Sequence, residues 1–545
     1  MNAYDLDQVV ETLMLALEDE YGGAFVTASG VSWLEAHHVP VRRLVTRVVR
    51  RLLLLGEVPA DPEPCAAENL VVAKNSASFG YVAYDVSESG LSFLLGRGEP
   101  EQFVMAGSVP DDPVRPPPLT APTPVSAVSW SSRHAETLLP VLSVLSGRGL
   151  ESTVMDMASE AGQRFPDDSG AGVTVIRLPR EVLDRQGGVA TQNLALPVEE
   201  HIAWVGRHEV SLARLAMLAA QVLVRSAGCT QPSWTAALHV EQWLDAVLGQ
   251  LRSRVLLCSN DTSPLGVLAV RAAERAAADT VYVQHGAWVE GQISWRAQHC
   301  RHIAVMGSRD VRTAHTWTRR VDARTYVVGQ PRFDPLVQVD RRSQRSYLQG
   351  MLRQRAGAVP PKIVVWACQP FTEQRLLGQV EVLAEGLRHA QDRWGLVIAP
   401  HPAQSAQPLS ALFDATNGVV AALAAPEVGA RGCLAGADAL ISASSTCGIE
   451  ALLLGVPVLE LVLPVTRTLR LADHGAAQCC TSSQDITTAL TRIDESPRAV
   501  RVPAAAREAI CRWDGRSAGA VADVVVNALI DGSAPHHSAQ GTDVP

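Results

Sequence analysis

Five short segments gather the side chains that could do chemistry. The densest is Ile441-Ser442-Ala443-Ser444-Ser445-Thr446-Cys447-Gly448-Ile449-Glu450, an apolar run that opens into hydroxyls and then into helical spacing. Hydroxyls and free backbone N–H groups where a strand feeds a helix favour an anion, with the helix dipole aligned to it. A simple N-cap needs only one of them. Ser444, Ser445 and Thr446, with Gly448 at the helix start, are therefore candidate phosphate ligands, and Glu450 is placed to accept ribose hydroxyls. In Ala399-Pro400-His401-Pro402 a histidine between two prolines ends a strand on a stiff backbone, suited to donate to a phosphate oxygen. Gln369 should open onto the same edge.

The other three segments end strands in the preceding part of the chain. In Gln284-His285-Gly286 the imidazole of His285 is a candidate general base, since a neutral histidine can take a hydroxyl proton near pH 7. In Gly329-Gln330-Pro331-Arg332-Phe333-Asp334, Arg332 can pair with a phosphate and Asp334 can hold the site in place. Asp261, in Ser259-Asn260-Asp261-Thr262, is a second candidate base. For each segment a purely structural role is the competing reading: a loop histidine, a buried ion pair, a helix cap. His299-Cys300-Arg301-His302 looks metal-like, but strand alternation sends neighbouring side chains to opposite faces.

Composition removes several chemistries. Of 47 basic residues only Lys74 and Lys362 are lysines. Neither follows a glycine or precedes Ser/Thr, so no P-loop is present, and Schiff-base chemistry has poor candidates. A net charge of −9 argues against bulk nucleic-acid binding. The first 20 residues are acidic rather than cationic, no uncharged apolar stretch is long enough to span a bilayer, and ten cysteines lack framework spacing. A cytoplasmic protein with reduced thiols is expected.

To position these segments, the pattern predicts an α/β chain with an N-terminal accessory unit. Residues 1–109 read as two helices and a hairpin, an α+β domain open to a winged-helix-like reading, with Arg43, Arg47 and Arg50 off the apolar stripe. A proline-rich linker covers 110–125. Strands and helices then alternate over 126–340, the first Rossmann-like domain, including a long helical stretch from about 199 to 226. A polar linker covers 341–361. A second alternating series over 362–532 forms the other Rossmann-like domain, and 533–545 is a polar tail. Ligands of such folds bind in the crevice at the carboxyl ends of the strands.

These segments carry a family resemblance over roughly residues 250–465. A strand ending in His401-Pro402, followed by Ser444-Ser445 opening a helix with Glu450-Ala451-Leu452 and Gly455-Val456-Pro457, resembles the nucleotide half of GT-B glycosyltransferases. The His-Pro and Ser-Ser pairs resemble motifs of bacterial enzymes that use CMP-activated sialic acid or Kdo. Gln284-His285-Gly286 and Gly329-Gln330-Pro331-Arg332-Phe333-Asp334 are similar to elements of CDP-glycerol transferases, with Gln284 where that family has tryptophan.

The resemblance implies a GT-B fold and metal-independent transfer of a sugar or polyol phosphate. The donor would be nucleotide-activated, CMP- or CDP-linked, and would need no cofactor. The acceptor would be a hydroxyl on a glycan, a lipid-linked chain or a small molecule, as in polysaccharide biosynthesis. His401, Pro402, Gln369, Arg332 and the Ser444–Glu450 segment would hold the donor, with His285, Asp261 and Asp334 on the acceptor side. A peripheral membrane contact and a homodimer stay open. The competing readings are a non-hydrolysing UDP-sugar 2-epimerase and a DNA-binding regulator or scaffold with a non-catalytic sensor domain.

Overall fold

Short runs of Val, Ile, Leu and Ala, apolar on both faces, make strands that must be covered by helices on each side. The computed structural model describes residues 3–26, 30–54, 69–76, 81–96, 114, 116–119, 121–183, 201–225, 234–289, 298–357, 359–369, 373–390, 393–401, 419–464, 467–496 and 500–531. In chain order, β1 (Leu70–Ser76) and β2 (Tyr81–Val86) pair as an antiparallel hairpin. The first large sheet uses β3 (Val125–Ser129), β4 (Ser152–Asp156) and β5 (Val173–Arg177). After a second hairpin, β6 (Ile202–Val205) and β7 (His208–Ser211), it is completed by β8 (Val255–Cys258), β9 (Asp279–Val283), β10 (His302–Val305) and β11 (Arg324–Val327).

All strands of this sheet are parallel, in the order β11-β10-β9-β8-β3-β4-β5. The second sheet is built from β12 (Lys362–Ala367), β13 (Trp394–Ala399), β14 (Ala421–Leu423), β15 (Ala439–Ser442), β16 (Val458–Leu461) and β17 (Gln478–Cys480). It too is parallel, in the order β14-β13-β12-β15-β16-β17. Each order runs outward from its first strand in both directions, which is the doubly wound Rossmann topology, with a switch point at β3/β8 and another at β12/β15. The two-domain α/β architecture predicted for GT-B is what forms.

Alternation divides each sheet cleanly. Val125, Ala127, Val255 and Leu257 point to one core, and Val128, Leu256 and Cys258 to the other. In the second sheet Val364 and Trp366 face one side, Ile363 and Val365 the opposite.

Several boundaries differ from the sequence reading. The described residues of the 1–109 segment do not make a detached unit. Leu13, Leu17, Val48, Leu52 and Leu91 share one continuous core with Val128, Met155 and Leu244 of the first domain. Of the arginines placed off the apolar stripe, Arg47 donates to the Tyr84 carbonyl, and nearby Arg51 pairs with Glu88. The stretch predicted as one helix from 199 to 226 is the β6–β7 hairpin followed by the helix Leu212–Arg225, and the helix Trp234–Leu251 was not anticipated.

Much of the 341–361 linker is the helix Arg341–Ala356. Asp340 caps it by accepting from the Arg342 and Ser343 N–H groups, and Leu348 and Leu352 sit in the second domain's core. The last helix, Ser517–Asp531, predicted for the second domain, returns to the first. Its Val521, Ala522 and Val525 belong to the same core as Val125 and Leu257. Residues 110–113, 115 and 120 of the proline-rich linker and the whole tail lie outside the described residues. No helix among the described residues is long and apolar enough to cross a membrane.

Candidate active site

Both switch points open into one cleft. From the first domain, β3 ends at Ser129 and feeds the helix Ser132–Gly147, so Arg133 and His134 stand at its first turn. The His134 ring is edge-on to Trp130, with centroids 4.5 Å apart, and lies 5.1 Å from the ring of His285, which leaves β9. From the second domain comes His401, just past β13, whose Nε2 is 3.4 Å from Arg133 Nη2. A guanidinium only donates, so Nε2 accepts and the neutral ring carries its proton on Nδ1. The backbone N–H of Ala287 donates to Thr446 Oγ1 at 3.4 Å, joining the loop after His285 to the hydroxyl row.

The two imidazoles are held neutral. Burial lowers the His285 pKa to about 4, helped by the charges of Arg332 and Arg133 and opposed by its hydrogen bond to Ser259. That bond runs from Nδ1–H to the Ser259 carbonyl, which can only accept. Nε2 of the neutral ring is therefore unprotonated, the form a general base requires. Burial and then the Arg133 charge bring His401 to about 4.

The hydroxyl row sits at the second switch point. Ser444 Oγ donates to Gln369 Oε1 at 3.4 Å, across the gap between β15 and β12. Ser445 Oγ accepts from the Cys447 N–H at 3.3 Å, and Thr446, at the N-cap position, makes no side-chain cap bond. These contacts are long beside the ~2.7–3.0 Å of strong hydrogen bonds, so a ligand oxygen can replace them at small cost. Pro402 lies outside the described residues.

Glu450 does not face a ribose. Its carboxylate is 3% exposed and sits between Arg332 Nη2 at 3.4 Å and Arg431 Nε at 3.0 Å. Burial raises its pKa against the pull of both arginines. Glu136, from the helix after β3, reaches Arg431 at 3.3 Å and Arg332 at 3.9 Å, so four charges link the two domains. Arg332 is thus committed to carboxylates, although its Nε is buried without an acceptor.

Three further candidates have structural work. Asp334 caps the last helix by accepting from Ser517 N–H at 3.0 Å and Ala518 N–H at 2.9 Å. Asp261 is fully buried, and its Oδ2 accepts from the His299 and Cys300 N–H groups at 2.8 and 2.9 Å. Neither is placed as a base. Gly448 is buried with its Cα toward Leu471, where an added Cβ would come within 3.2 Å of Leu471 Cδ1. Gln284, also buried, is a structural hub: its amide donates to Gly286 O and Asp310 Oδ2 and accepts from Met306 N–H.

Arg133, His134, Glu136 and Arg431 were missed in the sequence. The first three follow a strand end at a switch point, a signal that was available. Arg431 lies in a loop of Gly and Ala and carried none. Among the described residues no group of three or more His, Cys, Asp or Glu is arranged to hold a metal. His299 and His302 go to separate partners, Glu35 at 2.9 Å and Asp279 at 3.3 Å.

No family model matches the chain, and no curated protein matches its sequence. Among solved structures, it is similar to MurG of Acinetobacter baumannii, at 13% identity over 74% of this chain and 100% of that one, TM-score 0.42. A putative UDP-N-acetylglucosamine 2-epimerase of Listeria monocytogenes gives 14% over 75% and 98%, TM-score 0.48. A glycosyltransferase from Rickettsia africae gives 8% over 75% and 99%, TM-score 0.45. At such identities and TM-scores these likenesses say nothing of what this chain binds or does, and the architecture stands on its own strand orders.

Proposed function

We propose that this protein transfers a sugar, or a polyol phosphate, from a nucleotide-activated donor to a hydroxyl acceptor. The observation that carries the reading is that His401 and His285, from different domains, both reach the first turn of the helix after β3, His401 through Arg133 at 3.4 Å and His285 through the His134 ring at 5.1 Å. His401, Gln369, Ser444, Ser445 and Thr446 hold the donor phosphates and meet the charge that grows on the departing nucleotide. His285, neutral with Nε2 as acceptor, takes the proton of the attacking hydroxyl. Removing one donor that acts mainly in the transition state slows such a step by roughly 10²-fold or more. Arg332, Arg431, Glu136 and Glu450 hold the two domains in register around the site. Asp261 and Asp334 have no chemical role in this scheme. On the His-Pro and Ser-Ser motifs, a cytidine-linked donor is the first candidate.

The test is to incubate the protein with CMP-, CDP- and UDP-linked sugars, with and without alcohol acceptors. Nucleotide release that depends on the acceptor supports transfer. Interconversion of a UDP-sugar with no acceptor and no released nucleotide overturns it in favour of epimerisation.

A further inference from the structure

A cavity of about 550 Å³ lies at the rear of the second domain, within the ~300–1,000 Å³ typical of small-molecule sites. Lys362 opens β12, Asp438 directly precedes β15 and Pro457 directly precedes β16, so the cavity is at the amino edge of the sheet, away from the cleft. Four cationic side chains line it, Arg341, Lys362, Arg501 and Arg507, against one carboxylate, Asp438. That carboxylate is already engaged: Arg345 Nη1 is 2.6 Å away, Lys362 Nζ is 3.4 Å away, and the Ile363 N–H donates to it at 2.8 Å. Among the described residues, neither Arg501 nor Arg507 has a carboxylate partner. The Nε of Arg507 is buried with no acceptor. With Nε covered and no carboxylate beside it, Arg507 has its outer guanidinium N–H groups left to pair with an anion.

One of the chain's two lysines stands here. The remaining wall includes Val456 and Val502, apolar surface suited to a carbon skeleton. The cavity also touches the return path to the first domain. Arg507 belongs to the helix Ala504–Ile510, and a Cβ on Gly307 of the first domain would lie 2.2 Å from the Ala509 carbonyl oxygen. Just beyond, Arg512 N–H donates to Met306 O at 2.9 Å and Trp513 Nε1 to Phe333 O at 3.0 Å. A ligand gripping Arg501 and Arg507 therefore fastens the segment that ties the domains together.

We propose that this cavity binds a small organic polyanion, its phosphate or carboxylate groups on Arg501, Arg507 and Lys362 and its carbon skeleton on Val456 and Val502. This site is independent of the cleft and of the activity assigned there.

The probes are inorganic pyrophosphate and citrate, added to the full chain at millimolar concentration and compared with sodium chloride of equal ionic strength. Binding is read by calorimetry and by the thermal transition, which a ligand of the folded state raises by mass action. At least one probe is expected to bind. Arg501→Gln and Arg507→Gln should each weaken it by about tenfold or more, the loss of a charge-assisted hydrogen bond, while His401→Ala leaves it unchanged. The unliganded transitions of the two arginine variants show that they fold. No binding by either probe, binding indifferent to both arginine substitutions, or binding lost only in His401→Ala overturns the proposal.

Discussion

Nucleotide binding is expected to raise the pKa of His285 by about two units. Burial, followed by the charges of Arg332 and Arg133, holds it at about 4, against the hydrogen bond to Ser259. One phosphate charge about 5 Å away, at an effective dielectric constant of about 20, is worth roughly 3 kcal/mol. At 1.36 kcal/mol per unit that is a rise of about two units, to about 6. A phosphate that also pairs with Arg133 weakens the opposing effect of that charge, which acts in the same direction. A base near 6 is well matched to proton transfer at neutral pH, whereas one near 4 is a poor acceptor. Burial thus keeps the imidazole unprotonated, and the donor makes it basic.

The measurement is the imidazole NMR titration of His285, assigned by loss of its signals in His285→Gln, with and without saturating nucleoside diphosphate. Kinetics gives a second view. The acidic limb of kcat reports the enzyme–substrate complex and should lie about two units above that of kcat/KM, which reports free enzyme. A free-protein titration near the ordinary 6.5, or a pKa unmoved by bound nucleotide, would refute the reasoning.

Three other perturbations separate structure from chemistry. Asp334→Ala removes the acceptor of two N–H groups at the start of the last helix and should cost about 1–2 kcal/mol in urea unfolding; turnover per folded molecule should persist, and its loss at unchanged stability contradicts the capping role. Burial, then the charge of Arg319, holds His38 at about 3, so the folded protein refuses a proton that the unfolded chain accepts near 6.5; this contribution to stability is intact above about pH 6.5 and declines as pH falls toward 3. His38→Gln should therefore lose less stability than wild type over that window, and parallel curves would contradict the assignment. Gly307→Ala brings a Cβ within 2.2 Å of Ala509 O and should loosen the return segment, lowering the thermal transition; an unchanged transition means that this contact is not tight.

The sheets were legible because their signal is local. Ile363-Val364-Val365-Trp366 and Leu396-Val397-Ile398-Ala399 are apolar on both faces, and only a covered parallel strand accepts that pattern. The residues ending such strands follow automatically, which is why His285, His401, Gln369 and Ser444–Thr446 reach one cleft. What failed depended on tertiary placement. Nothing local distinguishes Asp334 as a cap for a helix 183 residues later, or shows that Asp261 will be sealed beneath the His299–Cys300 backbone. Glu450 lies near a helix N-terminus as the sequence indicates, but its burial between Arg332 and Arg431 is decided by how the domains meet. The accessory unit at the N-terminus looked separate because a proline-rich stretch follows it; its apolar stripe in fact completes the first domain's core.

The most direct test is calorimetric titration of CDP, CMP and UDP into wild type, His401→Ala and His285→Ala, with turnover measured on the same samples. The account predicts that a nucleotide binds wild type, that His401→Ala weakens this by about tenfold or more, and that His285→Ala leaves binding within a few-fold while abolishing transfer. Absence of nucleotide binding, binding indifferent to His401, or transfer that survives both substitutions would contradict it.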